Sequence, residues 1–201
     1  MLATPSTMRT LALLLKRHLN PTRGLVMVGG TDLGSLDLFG LRSDVVVLDR
    51  PTIVDVSIRE FLTLAQSNAR TDLMLDALAA TGLERSIAKL PDGLDTHLSQ
   101  SGWPLSIGEV MALKLSAALL AQPRVLVLST LYDLLPIEKV RNVLSRLRSA
   151  GTTVLLSTAR PEDIELDGYL WIGPGRQLRE TTLHELLDGM SSEEVADAVQ
   201  A

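Results

Sequence analysis

At 201 residues with 46% hydrophobic side chains, the chain has the length and composition of one domain with a large core, which is aliphatic because aromatics make up only 3%. A formal net charge of -5, a pI near 5.2 and no Lys/Arg run exclude the basic stripe that nucleic-acid binding needs. The absence of cysteine excludes disulfides and thiolate metal sites and fits the cytosol, while charged residues at 21% suit a surface covered by a partner.

The first predicted element is a helix over Thr10 to Leu19, with apolar residues at Leu11, Leu14 and Leu15, closed by Lys16 and Arg17 and stopped by Asn20-Pro21. Its apolar run is far short of the roughly 20 residues of a membrane span. It also lacks the flanks of a signal peptide. A strand follows over Leu25 to Val28, then a Gly29-Gly30 turn, a connector, and a second strand over Val45 to Leu48. Ser57 with Glu60 is a capping box that opens a helix to about Gln66. Thr71 or Asp72 caps the next, which runs through Ala80 to a stop at Gly82. Residues 88–104 read as a structured loop.

Ser106, Ile107 and Gly108 form a small-residue loop before a helix from about Glu109 to Ala121 that is apolar almost all round and must therefore be buried. Val125 to Leu128 is wholly apolar, the pattern of a strand covered on both faces in a parallel sheet. Pro136 suits the first turn of a helix reaching Ser149, with Leu144 and Leu147 facing inward, and Thr152 to Leu156 is a further buried strand. This alternation implies right-handed parallel crossovers. Tyr169 to Ile172 and Gln177 to Arg179 read as a hairpin, and boxes at Thr182/Glu185 and Ser191/Glu194 open short helices.

The residues alone reveal no chemistry. His18, His97 and His184 lie far apart without ligand-like or triad-like neighbours, and Asp44, Asp49 and Asp55 read as loop solvation around the second strand. Gly29-Gly30 lacks the spacing and the Lys of a phosphate loop and reads as a turn.

A resemblance adds what the residues alone do not. LPDGLDTHLSQSGWPLSIGE, from Leu90 to Glu109, resembles the segment around the signature motif of ABC-transporter nucleotide-binding domains, where L-P-x-G-x-D-T precedes LSGGQ. The L-P-x-G-x-D-T wording resembles the exporter-type branch. Upstream, GLVMVGGTDLGSLDLFGLRSDVVVLDRPTIVDVSIREFL is similar to the family's stretch from its G-x-I-x-I-D-G hairpin past the glutamine loop. Downstream, AALLAQPRVLVLSTLYDLL, TTVLLSTARPED and DGYLWIGPGRQLRETTLHELL are similar to the Walker-B, switch-histidine and closing-hairpin stretches. The resemblance implies an α/β fold over residues 1–201: a P-loop NTPase-like parallel core sheet flanked by helices, a helical subdomain at about 57–121 and a C-terminal antiparallel hairpin.

It also implies what is missing. Hydrolysis in this family needs a P-loop Lys, a Ser/Thr and a Walker-B Asp for magnesium, and a Glu to polarise water. By the resemblance Met8 stands at the Lys position, Arg9 at the magnesium Ser/Thr, Ser129 and Thr130 at the Walker-B Asp and Glu, Asp49 at the γ-phosphate Gln, Ala159 at the switch His, and Pro136 at the loop Asp that crosses to the opposing subunit. Methionine carries no charge and arginine coordinates no cation. The expectation is a degenerate domain, a pseudo-ATPase with no catalytic residue, metal or cofactor of its own, meeting ATP and magnesium only weakly or through a partner. Ser106, Gly108 and Glu109 remain as a signature-like loop for contact in trans, with Ile107 and Glu109 weakening it, and Ser99, Gln100 and Ser101 stand where the family touches transmembrane coupling helices.

The implied partners are a second ABC subunit or a transmembrane exporter at the inner face of a membrane, without insertion of this chain. The family's N-terminal antiparallel strands and adenine-stacking loop are absent, as is its central P-loop strand, which implies an unpaired edge in the middle of the sheet. The competing readings are an ATP-binding subunit that shares a site, and a truncated remnant without function.

Overall fold

The computed structural model describes residues 5–172 and 178–185, and its helices and strands follow the predicted alternation. The chain clusters into two compact units, Met1–Asp49 with Val127–Thr130 and Leu155–Ala201, and Arg50–Leu126 with Leu131–Val154.

In the first unit, helix α1 spans Pro5–Leu15, starting five residues earlier than the apolar pattern places it. Proline is tolerated in a first turn because its missing N–H has no helical partner there. The helix closes at Arg17, in the left-handed region at φ 54°, three residues before Asn20-Pro21. Strands β1 (Met27–Val28) and β2 (Thr31–Asp32) pair antiparallel around Gly29 and Gly30, both at positive φ, so the predicted strand from Leu25 is only two residues long. The connector contains helix α2 (Leu38–Asp44), which the sequence reading missed. Asp37 initiates it by accepting from the N–H groups of Phe39 (2.8 Å) and Gly40 (2.9 Å), a signal that two turns without clear periodicity do not amplify. Strand β3 (Val45–Leu48) follows where expected.

The second unit is mainly helical. Strand β4 (Val56–Ser57) leads into α3 (Ile58–Ala65), then α4 (Thr71–Thr81), α5 (Glu84–Ala88), strand β5 (His97–Leu98) paired antiparallel to β4, α6 (Ile107–Ala121) and α7 (Ile137–Ser149). The predicted box opens α3: Ser57 Oγ accepts from Glu60 N at 3.2 Å, and Ser57 N donates to Glu60 Oε2 at 2.8 Å. Gly82 stops α4 at φ 82°, but its N-cap position is Arg70, without a side-chain bond, in place of Thr71 or Asp72. Pro136 occupies the N-cap position of α7, whose buried stripe is Val140, Val143 and Leu147; Leu144 is half-buried.

α6 is the core of this unit. Nine of its fifteen residues are buried, among them Val110, Leu113 and Leu115 at 0% exposure, and it packs on α3, α4 and α7. Between α4 and α6, the hydroxyls of Thr81 and Ser116 are 2.8 Å apart inside this aliphatic interface.

Strands β6 (Val125–Leu128) and β7 (Thr153–Leu156) join β3 in a parallel three-stranded sheet of order β3-β6-β7. Leu126, Val127 and Leu128 are at most 2% exposed, as a strand without alternation requires. β6 sits between its two neighbours, with Ser129 N bonded to Leu48 O (3.2 Å) and Ser157 N to Leu128 O (2.9 Å) just past the strand ends. Among the described residues the open edges are those of β3 and β7. Strands β8 (Tyr169–Ile172) and β9 (Leu178–Thr181) form the closing hairpin; Gln177 of the predicted second arm lies outside the described residues. Thr182 and Glu185 then make their reciprocal bonds, whereas the Ser191/Glu194 box lies outside the described residues.

Candidate functional site

The loop before α6 is the most completely built of the candidate regions. Ser106 is the N-cap: its hydroxyl accepts from Glu109 N (3.3 Å), while Glu109 Oε2 accepts from Ser106 N (2.9 Å) and Ser106 Oγ (2.8 Å). This is a second capping box, S-x-x-E, of the same form as Ser57/Glu60, and it carries the helix back to Ile107. Burial works against ionisation of Glu109, but hydrogen bonds from Ser106 and Ser86 outweigh it and hold the carboxyl below the ordinary glutamate range. Ile107 is 59% exposed, so its side chain stands out from the first turn, and nothing lies within 4 Å of a Cβ built on Gly108.

The preceding turn is tightly fixed. Gly102 adopts φ +90°, and a Cβ there would meet Val110 Cγ2 at 2.2 Å, so only glycine lets the turn lie against the first buried residue of α6. Ser99 N donates to Trp103 O (3.1 Å) and Gly102 N to Ser99 O (2.8 Å), and the hydroxyls of Ser99 and Ser101 are 2.9 Å apart. Gln100 O accepts from Ile53 N (3.3 Å), which ties this turn to the segment leading into β4. Trp103 is 73% exposed beside it.

Beside the β4–β5 ribbon, His97 Nε2 lies 2.5 Å from Asp55 Oδ1, and Arg59 holds Asp95 through Nε (2.7 Å) and Nη2 (3.2 Å). The His97–Asp55 pair, 42 residues apart in sequence, corrects the reading of Asp55 as loop solvation and of His97 as a residue without a triad-like neighbour. No third ligating group joins them: no cluster of three or more His, Cys, Asp or Glu suited to a metal occurs among the described residues.

The positions in the first unit that the resemblance aligns with phosphate and magnesium contacts lie on α1 and just past β3, β6 and β7. Met8 is half-buried and Arg9 exposed on the first half of α1. Asp49, just past β3, pairs instead with Lys16 just beyond the other end of α1, at 3.3 Å and with both side chains about one-third exposed. Eight residues separate Met8 from Lys16, about 12 Å along a helix. A helix C-terminus carries negative partial charge, so it suits the ammonium of Lys16 and disfavours phosphate. Past β6, Ser129 Oγ is buried without a hydrogen-bond partner and Thr130 is exposed; past β7, Ala159 is exposed. Pro136, in the second unit, is exposed.

No family model matches the chain. It is 29% identical over 181 residues to the cyclolysin secretion/processing ATP-binding protein CyaB of Bordetella pertussis, covering 89% of this chain and 25% of that protein. It is 33% identical over 174 residues to the mitochondrial potassium channel ATP-binding subunit of Homo sapiens, covering 81% and 24%. It is also 29% identical over 181 residues to the mycobactin import ATP-binding/permease protein IrtB of Mycobacterium bovis, covering 88% and 31%. The chain thus spans about a quarter to a third of the length of these curated relatives. Among solved structures it superposes on a bacterial Atm1-family ABC exporter with ATP bound, at a TM-score of 0.77 and 22% identity, covering 96% of this chain and 35% of that one.

Proposed function

Because the chain belongs to the nucleotide-binding domains of ABC transporters, we propose that it is a non-hydrolysing member, a pseudo-ATPase that serves as a structural or regulatory half beside an active ABC subunit or a transmembrane exporter. The observation that carries this reading is the state of Asp49. Its carboxylate neutralises Lys16, while Met8 and Arg9, at the phosphate and magnesium positions, offer neither an ammonium nor an oxygen ligand. Ser129, Thr130 and Ala159 supply no magnesium carboxylate, no base and no imidazole. In this reading residues 57–121 act as the helical subdomain, Ser99, Gln100 and Ser101 meet the transmembrane partner, and the chain works at the inner face of a membrane. No described helix is long and apolar enough to cross one.

A second reading, in which Ser106, Gly108 and Glu109 contact ATP held by a partner subunit, is favoured by the open space at Gly108 and opposed by the Glu109 carboxylate in the first turn of α6. Titration of the purified full chain with a fluorescent ATP analogue and magnesium separates a binding chain from a non-binding one. The expected result is no saturation at about 1 mM, weaker than roughly -4 kcal/mol of binding, together with no phosphate release. A micromolar Kd for the isolated chain, or magnesium-dependent turnover, would overturn the proposal.

A further inference from the structure

Arg23 stands apart from the other basic residues. Every residue from His18 to Leu25 is exposed, and Asn20 to Leu25 lies outside every helix and strand. Among the described residues, none from Asn20 to Leu25 makes a main-chain hydrogen bond, and the Arg23 guanidinium has no ion-pair or hydrogen-bond partner. Gly24 adopts φ +74°, with nothing within 4 Å of a Cβ built on it, so the Arg23–Gly24 bond is open to approach. Both ends of the stretch are fixed. On one side Ala12 and Leu15 of α1 are buried, Lys16 pairs with Asp49, and Arg17 Nη1 donates to Leu36 O at 2.6 Å. On the other, Leu33 N donates to Val26 O at 2.7 Å and Val28 is buried.

The other described Lys and Arg residues are held differently. Most lie within helices or β9. Lys16 and Arg17 precede N–H groups that donate to Leu14 O and Leu13 O, and the N–H after Lys89 donates to Ile87 O. The carbonyls of Arg70, Arg124 and Arg160 accept from Met74, Thr153 and Asp163, and Arg50 precedes Pro51, whose ring nitrogen has no N–H. A protease takes its substrate as an extended segment, so bonds inside hydrogen-bonded backbone must first open locally, whereas Arg23–Gly24 already lies free.

We propose that Arg23–Gly24 is a processing site for a trypsin-like serine endoprotease, which divides the chain into segments 1–23 and 24–201 that stay assembled. The unpaired guanidinium enters the acidic specificity pocket of such an enzyme. Its serine attacks the Arg23 carbonyl, the bond to Gly24 breaks, and the Gly24 nitrogen leaves as an amine with the proton of the catalytic acid. Water then releases Arg23 as a carboxylate. The anchors of α1 all lie before the cut, so α1 keeps its place without a covalent link to β1. This step is independent of nucleotide and of any transporter partner.

The test is digestion of the folded full chain with a trace of trypsin, with fragments identified by mass. The first cut is expected at Arg23–Gly24, about tenfold or more faster than at any other described Lys or Arg, and the two fragments should co-elute in size exclusion. Arg23→Gln should abolish this cut and Arg23→Lys should keep it; both positions are exposed, so circular dichroism of the variants should match the parent. The chain isolated from its native source with protease inhibitors present should include a species that begins at Gly24. A first cut elsewhere, an unchanged rate in Arg23→Gln, separation of the fragments, or no native species beginning at Gly24 would overturn the proposal.

Discussion

Helices α1 and α6 are built on opposite principles. α6 has a reciprocal cap at Ser106/Glu109, a glycine fitted against Val110, and buried residues on all sides. α1 has no acidic residue in its first turn, and its polar anchor, Lys16 to Asp49, lies beyond its last. Packing and ligand chemistry act on different atoms, and α6 is defined by its packing atoms. A helix that organises a core keeps its geometry whether or not its N-terminus still meets a ligand.

The sharpest way to break the α6 side of this contrast is Gly102→Ala. Strain at φ +90° and the clash with Val110 should cost about 3 kcal/mol or more, read as a large fall in the urea midpoint. Adding Val110→Ala to that variant should recover only part of the loss, because the backbone strain remains. Next comes Leu115→Ala, which removes a fully buried side chain of α6 and should cost about 3 kcal/mol by the same measurement.

Ser106→Ala should cost about 1 kcal/mol as a lost cap, and Glu109→Gln less, since an amide oxygen still accepts from Ser106 N. The carboxyls of Glu60 and Glu109 are held below their ordinary range, Glu60 chiefly by the Ser57 N–H and Glu109 by Ser106 and Ser86 against burial. A lowered folded-state pKa stabilises above the unfolded value and the benefit disappears as protons bind. Stability should therefore fall as pH drops below about 4.3, and less steeply in the Glu109→Gln variant. The smallest effect belongs to α1: Lys16→Ala or Asp49→Asn should change stability by at most about 1 kcal/mol, since the pair is partly exposed. A loss of several kcal/mol there would mean that α1 is as firmly anchored as α6.

How much of this was legible depended on the range of the signal. Ser57/Glu60, Gly82 and the runs Val45–Leu48 and Val125–Leu128 announce themselves within a few residues, because caps, left-handed stops and two-face burial are local or compositional. Ser106/Glu109 was equally local and was missed as a cap, since the family resemblance cast it as a worn phosphate loop. Short α2 gave too little periodicity to be seen. The pairs Lys16–Asp49 and His97–Asp55 bridge 33 and 42 residues, so they exist only once the chain has folded. The order β3-β6-β7 is likewise a property of topology.

The Thr81–Ser116 contact has a consequence for how this core tolerates change. Each hydroxyl also has a carbonyl of its own helix within reach, Leu78 O at 3.0 Å for Thr81 and Ala112 O at 3.0 Å for Ser116. If either residue mutates to an apolar one, the survivor still has a partner and no orphaned polar atom is left in the interface. The two positions are thus free to drift one at a time, and a polar pair in the middle of an aliphatic core behaves as a fail-safe joint.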